Sequence, residues 1–118
     1  MDRKGVGVAA EQRAAALLQE SGFTILLRNY NCRTGELDIV ARCGEVLVIA
    51  EVRLRASKEF GGAAASISRS KRDRIVRAAR NLLLRQPALA QLFARFDILL
   101  LSEPDGPIEW IKAAFDAG

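Results

Sequence analysis

Residues 35–53 read GELDIVARCGEVLVIAEVR, and this stretch decides the fold. Two apolar runs of strand length, Glu36–Arg42 and Val46–Arg53, flank a short Cys43-Gly44 turn. Their Ile, Val and Leu content predicts a β-hairpin. Loops of two or four residues centred on Cys43-Gly44 give one register, with Asp38 opposite Ile49 and Glu36 opposite Glu51. Cross-strand partners share a sheet face, so Glu36, Asp38, Glu51 and Arg53 all point to one side. Asp38 and Glu51 are then diagonal neighbours, roughly 7–8 Å apart at the backbone. Slipping by one residue would seat Asp38 among Val48 and Ala50, which burial disfavours.

The strand that carries Glu51 is apolar on both faces, as a central strand is. Glu and Arg on such a strand ask for a reason. Carboxylates that converge in a partly buried place repel, and raise one another's pKa unless a cation neutralises them. A hard divalent ion does this with oxygen ligands, and Mg²⁺ needs only one or two carboxylates besides phosphate and water. Such a site activates water and polarises a phosphodiester. The bland alternative is a salt-bridge ladder at a strand end, with Arg53 and Arg55 on Glu51 and Glu36. Spacing alone weighs the two readings equally. Glu36, directly after Gly35, reads as a strand-entry acid.

Outward from the hairpin, residues 8–20 (VAAEQRAAALLQE) are predicted to be a helix. Ala10, Ala14, Leu17, Leu18 and Ser21 fall on one stripe, and Glu11 sits at its edge. Ser21-Gly22 ends it. Phe23–Arg28 reads as a strand, followed by an Asn/Arg/Thr/Gly loop through Gly35. Residues 56–66 are small, polar and Gly-rich, hence a loop. Residues 67–86 form a long helix with Ile75, Ala78, Ala79, Leu82 and Leu83 as its apolar stripe, stopped by Pro87. Phe96–Leu101 is a buried strand, Ile108–Ile111 a short edge strand, and Ala113–Ala117 a weak helical turn. The order predicts an α/β fold: a mixed sheet flanked by helices on both faces, in one domain over 1–118.

The chain has 118 residues, 18 Lys+Arg, 14 Asp+Glu and no histidine. The zero excludes a Ser-His-Asp triad, an HExxH protease and histidine phosphotransfer. Acid–base or metal chemistry must rest on carboxylates, Lys, Arg, Tyr or Cys. Positive charge is concentrated: Arg69, Lys71, Arg72, Arg74, Arg77, Arg80 and Arg85 stand against Asp73 alone, and the rest of the chain is net acidic. Guanidinium binds phosphate through a planar fork, which favours an anionic partner. A solvated helix face would explain the charge equally well. Lys71 projects to the Ile75/Leu82 stripe, toward the sheet. It either reaches the carboxylates or a phosphate, or snorkels to solvent as first-turn lysines more often do. Cys32 and Cys43 form no zinc pattern and read as free thiols in a reducing compartment. No signal peptide and no bilayer-length apolar run are present, so a cytoplasmic protein without membrane contact is expected.

The run Gly35-Glu36-Leu37-Asp38-Ile39-Val40-Ala41 resembles the GEIDLIA motif of the YraN-like uncharacterised protein family (family 0102). Ala50-Glu51-Val52-Arg53-Leu54-Arg55 resembles its FVEVKxR motif, and Ala10-Glu11 with Ala14 its helical GExxA motif. Arg28-Asn29, Phe60-Gly61, Lys71 and Arg95-Phe96-Asp97 follow as further landmarks in order. The match covers nearly the whole chain. That family is similar to restriction-endonuclease-like PD-(D/E)xK nucleases, and particularly to Holliday-junction resolvases.

The resemblance implies a restriction-endonuclease-like αβββαβ core. It implies Asp38 and Glu51 as catalytic carboxylates that hold Mg²⁺ or Mn²⁺, the Val52 carbonyl as a further ligand, and Glu11 approaching from the first helix. Arg53 takes the place of the signature lysine. Arginine stabilises charge but does not serve as a base, because its pKa exceeds ~12. The expected function is therefore a metal-dependent endonuclease acting on DNA, branched or damaged, with Arg69, Lys71, Arg72, Arg77 and Arg80 on the phosphates. Two alternatives stand beside it: an inactive nucleic-acid-binding module of the same fold, and a protein-interaction domain. A two-fold homodimer is compatible with a small basic domain carrying one site.

Overall fold

The computed structural model describes residues 3–54 and 67–117. The elements are α1 (Arg3–Glu20), β1 (Thr24–Cys32), β2 (Gly35–Cys43), β3 (Val46–Leu54), α2 (Arg69–Arg85), a 3₁₀ turn (Pro87–Gln91), β4 (Phe93–Leu101) and β5 (Ile108–Phe115). The strands form one mixed sheet in the order β1-β2-β3-β4-β5. β3 and β4 are parallel, with α2 in the crossover between them, and the other neighbours are antiparallel. The result is the α/β architecture and αβββαβ order expected, with β5 added at the edge. Among the described residues no helix is long and apolar enough to cross a membrane.

Alternation along the strands gives two cores. Val40, Leu47, Ile49, Ile98 and Leu100 pack against Ile75, Ala78, Ala79 and Leu82 of α2. Ile39, Ala41, Val48, Ala50 and Leu99 pack against Ala14, Ala15 and Leu18 of α1. A helix therefore covers each face, as the near-continuous apolar runs of β3 and β4 require. Burying each large aliphatic side chain stabilises the fold by about 1.5–3 kcal/mol. α2 starts at an N-cap, where Ser68 Oγ accepts from the Lys71 backbone N–H at 3.1 Å.

The hairpin register differs from expectation by an even step. Cys43 faces Val46 and Ile39 faces Ala50, so the two-residue turn is Gly44-Glu45 rather than Cys43-Gly44. Gly44 has φ +60°, the conformation that a hairpin turn with glycine first demands. An even shift preserves faces, so the parity of Asp38 and Glu51 survives while the spacing between them tightens.

Three boundaries also moved. β1 continues through the Asn-rich segment to Cys32, because Tyr30, Asn31 and Cys32 pair with Leu37, Glu36 and Gly35. Cross-strand pairing overrides the loop-like composition there, with Asn29 taking a left-handed φ of 55°. α1 begins at Arg3, earlier than the apolar stripe suggested. The weak helical turn at the C-terminus is strand instead: β5 runs to Phe115, which pairs with Phe96. The loop at 56–66, with the Phe60-Gly61 landmark, and Arg55 lie outside the described residues.

Candidate functional site

The β2–β3 ladder ends at Ile39 and Ala50. Beyond that pair β2 turns with β1 while β3 continues beside β4 to Leu54. The strands fork, and Asp38 and Glu51 stand at the fork. The Val52 N–H donates to Asp38 Oδ2 at 3.0 Å, so a carboxylate takes a donor that a continuing ladder would have claimed. Glu51 is only 3% exposed and faces Ile98 of the parallel neighbour. The two carboxyls are close enough that each perturbs the titration of the other.

Lys71 closes the site from α2. Its Nζ lies 3.8 Å from Glu51 Oε1. The reach depends on how closely α2 presses on the start of β2. A Cβ at Gly35 would sit 3.0 Å from the Arg74 carbonyl oxygen, so any side chain there would push α2 away by a few tenths of an ångström. Tyr30 adds a second tie by donating its hydroxyl hydrogen to Asn81 Oδ1. Of the two fates open to Lys71 in the sequence, the one realised is contact with the carboxylates.

Glu11 enters from α1 on the opposite face. Its Oε1 lies 3.7 Å from Arg28 Nη2, and the Asn29 side chain helps to hold its pKa down. The cleft that joins these groups has a volume of about 810 Å³ and is lined by Glu11, Asn29, Glu36, Asp38, Glu51, Val52, Arg53 and Lys71, among others. Arg53 is half-buried there. Arg28 and Asn29 stood in the sequence only as landmarks of a resemblance. Their place beside Glu11 depends on how α1 packs against β1, which the local pattern does not announce.

Electrostatics follow from burial. Burial first, and then the charge of Asp38, push Glu51 well above the usual carboxylate range, with Lys71 and Arg53 opposing. Burial also raises Asp38, against the Val52 N–H, the Glu51 contact and Lys71. Glu11 is raised by burial and by Asp38, and lowered by Arg28.

Only two charged residues are buried among those described, Glu51 and Asp97, and they differ in kind. Asp97 is fully satisfied. Arg95 donates to both its oxygens at 3.0 and 2.9 Å, Trp110 Nε1 donates at 2.8 Å and the Ala113 N–H at 2.9 Å. It is a structural carboxylate that ties β4 to β5. Glu51 Oε2 is buried and accepts no hydrogen bond. A buried carboxylate oxygen without a donor costs several kcal/mol less if a cation meets it, and Glu51 lines the cleft. The donor set fits a hard divalent ion: two carboxylates with hard oxygens, and room for water and phosphate. Among the described residues no three such groups converge to hold an ion by themselves, so Glu11 stands near the pair rather than in a three-carboxylate cage.

The salt-bridge ladder is modified too. The cation 3.8 Å from Glu51 comes from α2, not from the same strand. On α2, Arg69, Arg77 and Arg80 are exposed and Arg72 is half-buried. Arg69, Lys71 and Arg72 crowd the first turn, which holds no acidic residue. Cations there add to the positive end of the helix dipole rather than offset it. Cys32 and Cys43 are free thiols.

A model of the family described as "Uncharacterised protein family UPF0102" matches residues 10–101. Proteins of that name share much of the sequence over nearly their whole length. One from Nitrosomonas europaea is 46% identical over 111 residues, covering 93% of this chain and 92% of that protein. One from Legionella pneumophila is 38% identical over 112 residues, covering 95% of each. One from Saccharophagus degradans is 45% identical over 109 residues, covering 92% of this chain and 91% of that protein.

Proposed function

This chain belongs to the uncharacterised protein family UPF0102, and for it we propose a divalent-cation-dependent, nuclease-like function on DNA. One observation carries the reading: Glu51 is buried beside Asp38 at a strand fork, with one oxygen buried and unpartnered, in the wall of an open cleft. The contrast with Asp97 argues against a merely structural acid, since the fold supplies four donor contacts to one carboxylate and withholds them from the other.

Asp38 and Glu51 would hold Mg²⁺ or Mn²⁺, with the Val52 carbonyl as a further oxygen. Such an ion supplies Lewis acidity toward a phosphodiester and an acidified water. The chain's own residues do the rest. Val52 N–H fixes one carboxylate oxygen, so the pair keeps its aim. Glu11, braced by Arg28 and Asn29, faces the same cleft from the other helix. The first turn of α2 concentrates positive potential beside it, and Arg69, Arg72, Arg77 and Arg80 would meet backbone phosphates. The resemblance to PD-(D/E)xK nucleases points to branched or damaged DNA as the substrate.

The test is cleavage and binding of a four-way junction by wild type, Asp38→Ala and Glu51→Ala, with Mg²⁺ or Mn²⁺. Both variants should lose ion-dependent cleavage and keep salt-dependent DNA binding. Unchanged cleavage would reject the assignment. Salt-dependent binding with no cleavage by the wild type under any divalent ion would instead identify a non-catalytic module, the reading that Arg53 favours.

A further inference from the structure

We infer that Lys71, carried on α2, supplies the positive charge that meets the reacting phosphate, in place of the strand residue at position 53. This rests on the proposed function and deepens it.

Three observations carry the assignment. Lys71 Nζ is 3.8 Å from Glu51 Oε1, which makes an ion pair but exceeds hydrogen-bond length. None of its three N–H donors is therefore consumed by that carboxylate. Its side chain is 36% exposed while that of Glu51 is 4% exposed, so the ammonium stands between a buried anion and the open cleft. The backbone beneath it is held at both ends: Ser68 caps its N–H, and Gly35 seats the next turn against β2. The positioning is thus built into the fold, not left to a mobile surface side chain.

The chemistry asks little of the residue. In hydrolysis a water oxygen bonds to phosphorus and one phosphorus–ester oxygen bond breaks. The attacking water gives up its proton to bulk water, and the leaving oxygen takes one from bulk water. Lys71 contributes charge to the non-bridging oxygens and moves no proton. With the cleft empty, the same charge offsets the carboxylate pair. A divalent ion held by Asp38 and Glu51 would displace that pairing, and the Lys71 charge would then serve the phosphate.

The displacement makes a test that does not depend on activity. Mg²⁺ is titrated calorimetrically at pH 8 into wild type, Lys71→Met, Lys71→Arg and Arg53→Met, each shown folded by thermal unfolding. Cleavage of a labelled four-way junction is measured in parallel. Lys71→Met removes a competing cation, so Mg²⁺ should bind about tenfold more tightly, while kcat falls at least about a hundredfold with KM little changed. Lys71→Arg should retain kcat to within about tenfold, and Arg53→Met should lose less than Lys71→Met. Lys71→Met with Mg²⁺ affinity and kcat both within twofold of wild type overturns the inference. So does weaker Mg²⁺ binding in Lys71→Met, the mark of a residue that only supports the ligands. So does a larger loss in Arg53→Met than in Lys71→Met. Absence of Mg²⁺ binding by the wild type is a different result: it rejects the proposed function itself, and the inference with it.

Discussion

Glu51→Gln should make the ion-free protein more stable, the reverse of what a structural ion pair predicts. In wild type, a carboxylate is buried at 3% exposure with Oε2 unpartnered and the charge of Asp38 opposing its ionisation. Leaving a buried acceptor unsatisfied costs about 1–3 kcal/mol, and more when it is charged. Against this stands the attraction of Lys71 at 3.8 Å, about 4 kcal/mol at an effective dielectric of about 20. Because Lys71 is more than a third open to water, solvent screening leaves roughly 1–2 kcal/mol of that. Glutamine removes the charge and brings an N–H₂ that can donate to Asp38, while Lys71 keeps its attraction to Asp38. The balance favours the variant by about 1–2 kcal/mol at pH 8. For a chain of this size that is a rise in Tm of about 4–8 °C.

The gain depends on pH with a definite sign. Glu51 has its pKa raised in the folded state above the ordinary 4.5. Between those values the unfolded chain has lost a proton that the folded chain keeps, so wild-type stability falls as pH rises through this window. Below the ordinary value both states are protonated and the difference disappears. The variant should therefore gain at pH 8 and gain nothing near pH 4. Divalent ions should act oppositely, stabilising wild type by about 1.4 kcal/mol at ten times Kd and leaving Glu51→Gln unmoved. Thermal unfolding at pH 4 and pH 8, with EDTA or Mg²⁺, measures all four conditions. A variant less stable than wild type at pH 8 in EDTA would refute the reasoning and make the Glu51–Lys71 pair a structural tie.

Asp97→Ala should do what Glu51→Gln does not. It strips the partners from Arg95, Trp110 and the Ala113 N–H, so urea unfolding should show a loss of about 3–5 kcal/mol with no Mg²⁺ dependence. Gly35→Ala places a Cβ 3.0 Å from the Arg74 carbonyl oxygen; because that atom is backbone, α2 must shift, at a cost of about 1–3 kcal/mol in the same assay. Arg69→Gln and Arg80→Gln, both at exposed positions on α2, should each weaken DNA binding uniformly across sequences. Each should lower the slope of log affinity against log salt by about 1, as read by fluorescence anisotropy.

Much of the fold was legible because its signals are short-range. The apolar runs of Glu36–Arg42 and Val46–Arg53, the stripe of Ile75 to Leu82 and the Pro87 stop are patterns within one element. The face shared by Asp38 and Glu51 was legible too, because it depends on parity, and an error of one residue in the turn centre changed the register by an even step. The polar end of β1 and the last residues of β5 were not legible. Both are made strand by backbone pairing with a neighbour, against their own composition.

The site divides along the same line. The sequence by itself determined which residue types are present, that histidine is absent, and that two acids share one face of a hairpin. It did not separate Glu51 from Asp97, since both are acids within apolar strands. Only tertiary structure decided that four donor contacts meet Asp97 and that one oxygen of Glu51 meets none. It also decided that Lys71 reaches Glu51, from another element, through a helix seated on Gly35. The physical reason is that periodicity is set by neighbours along the chain. Desolvation, donor supply and ion pairing are set by whatever distant segments packing brings within a few ångströms.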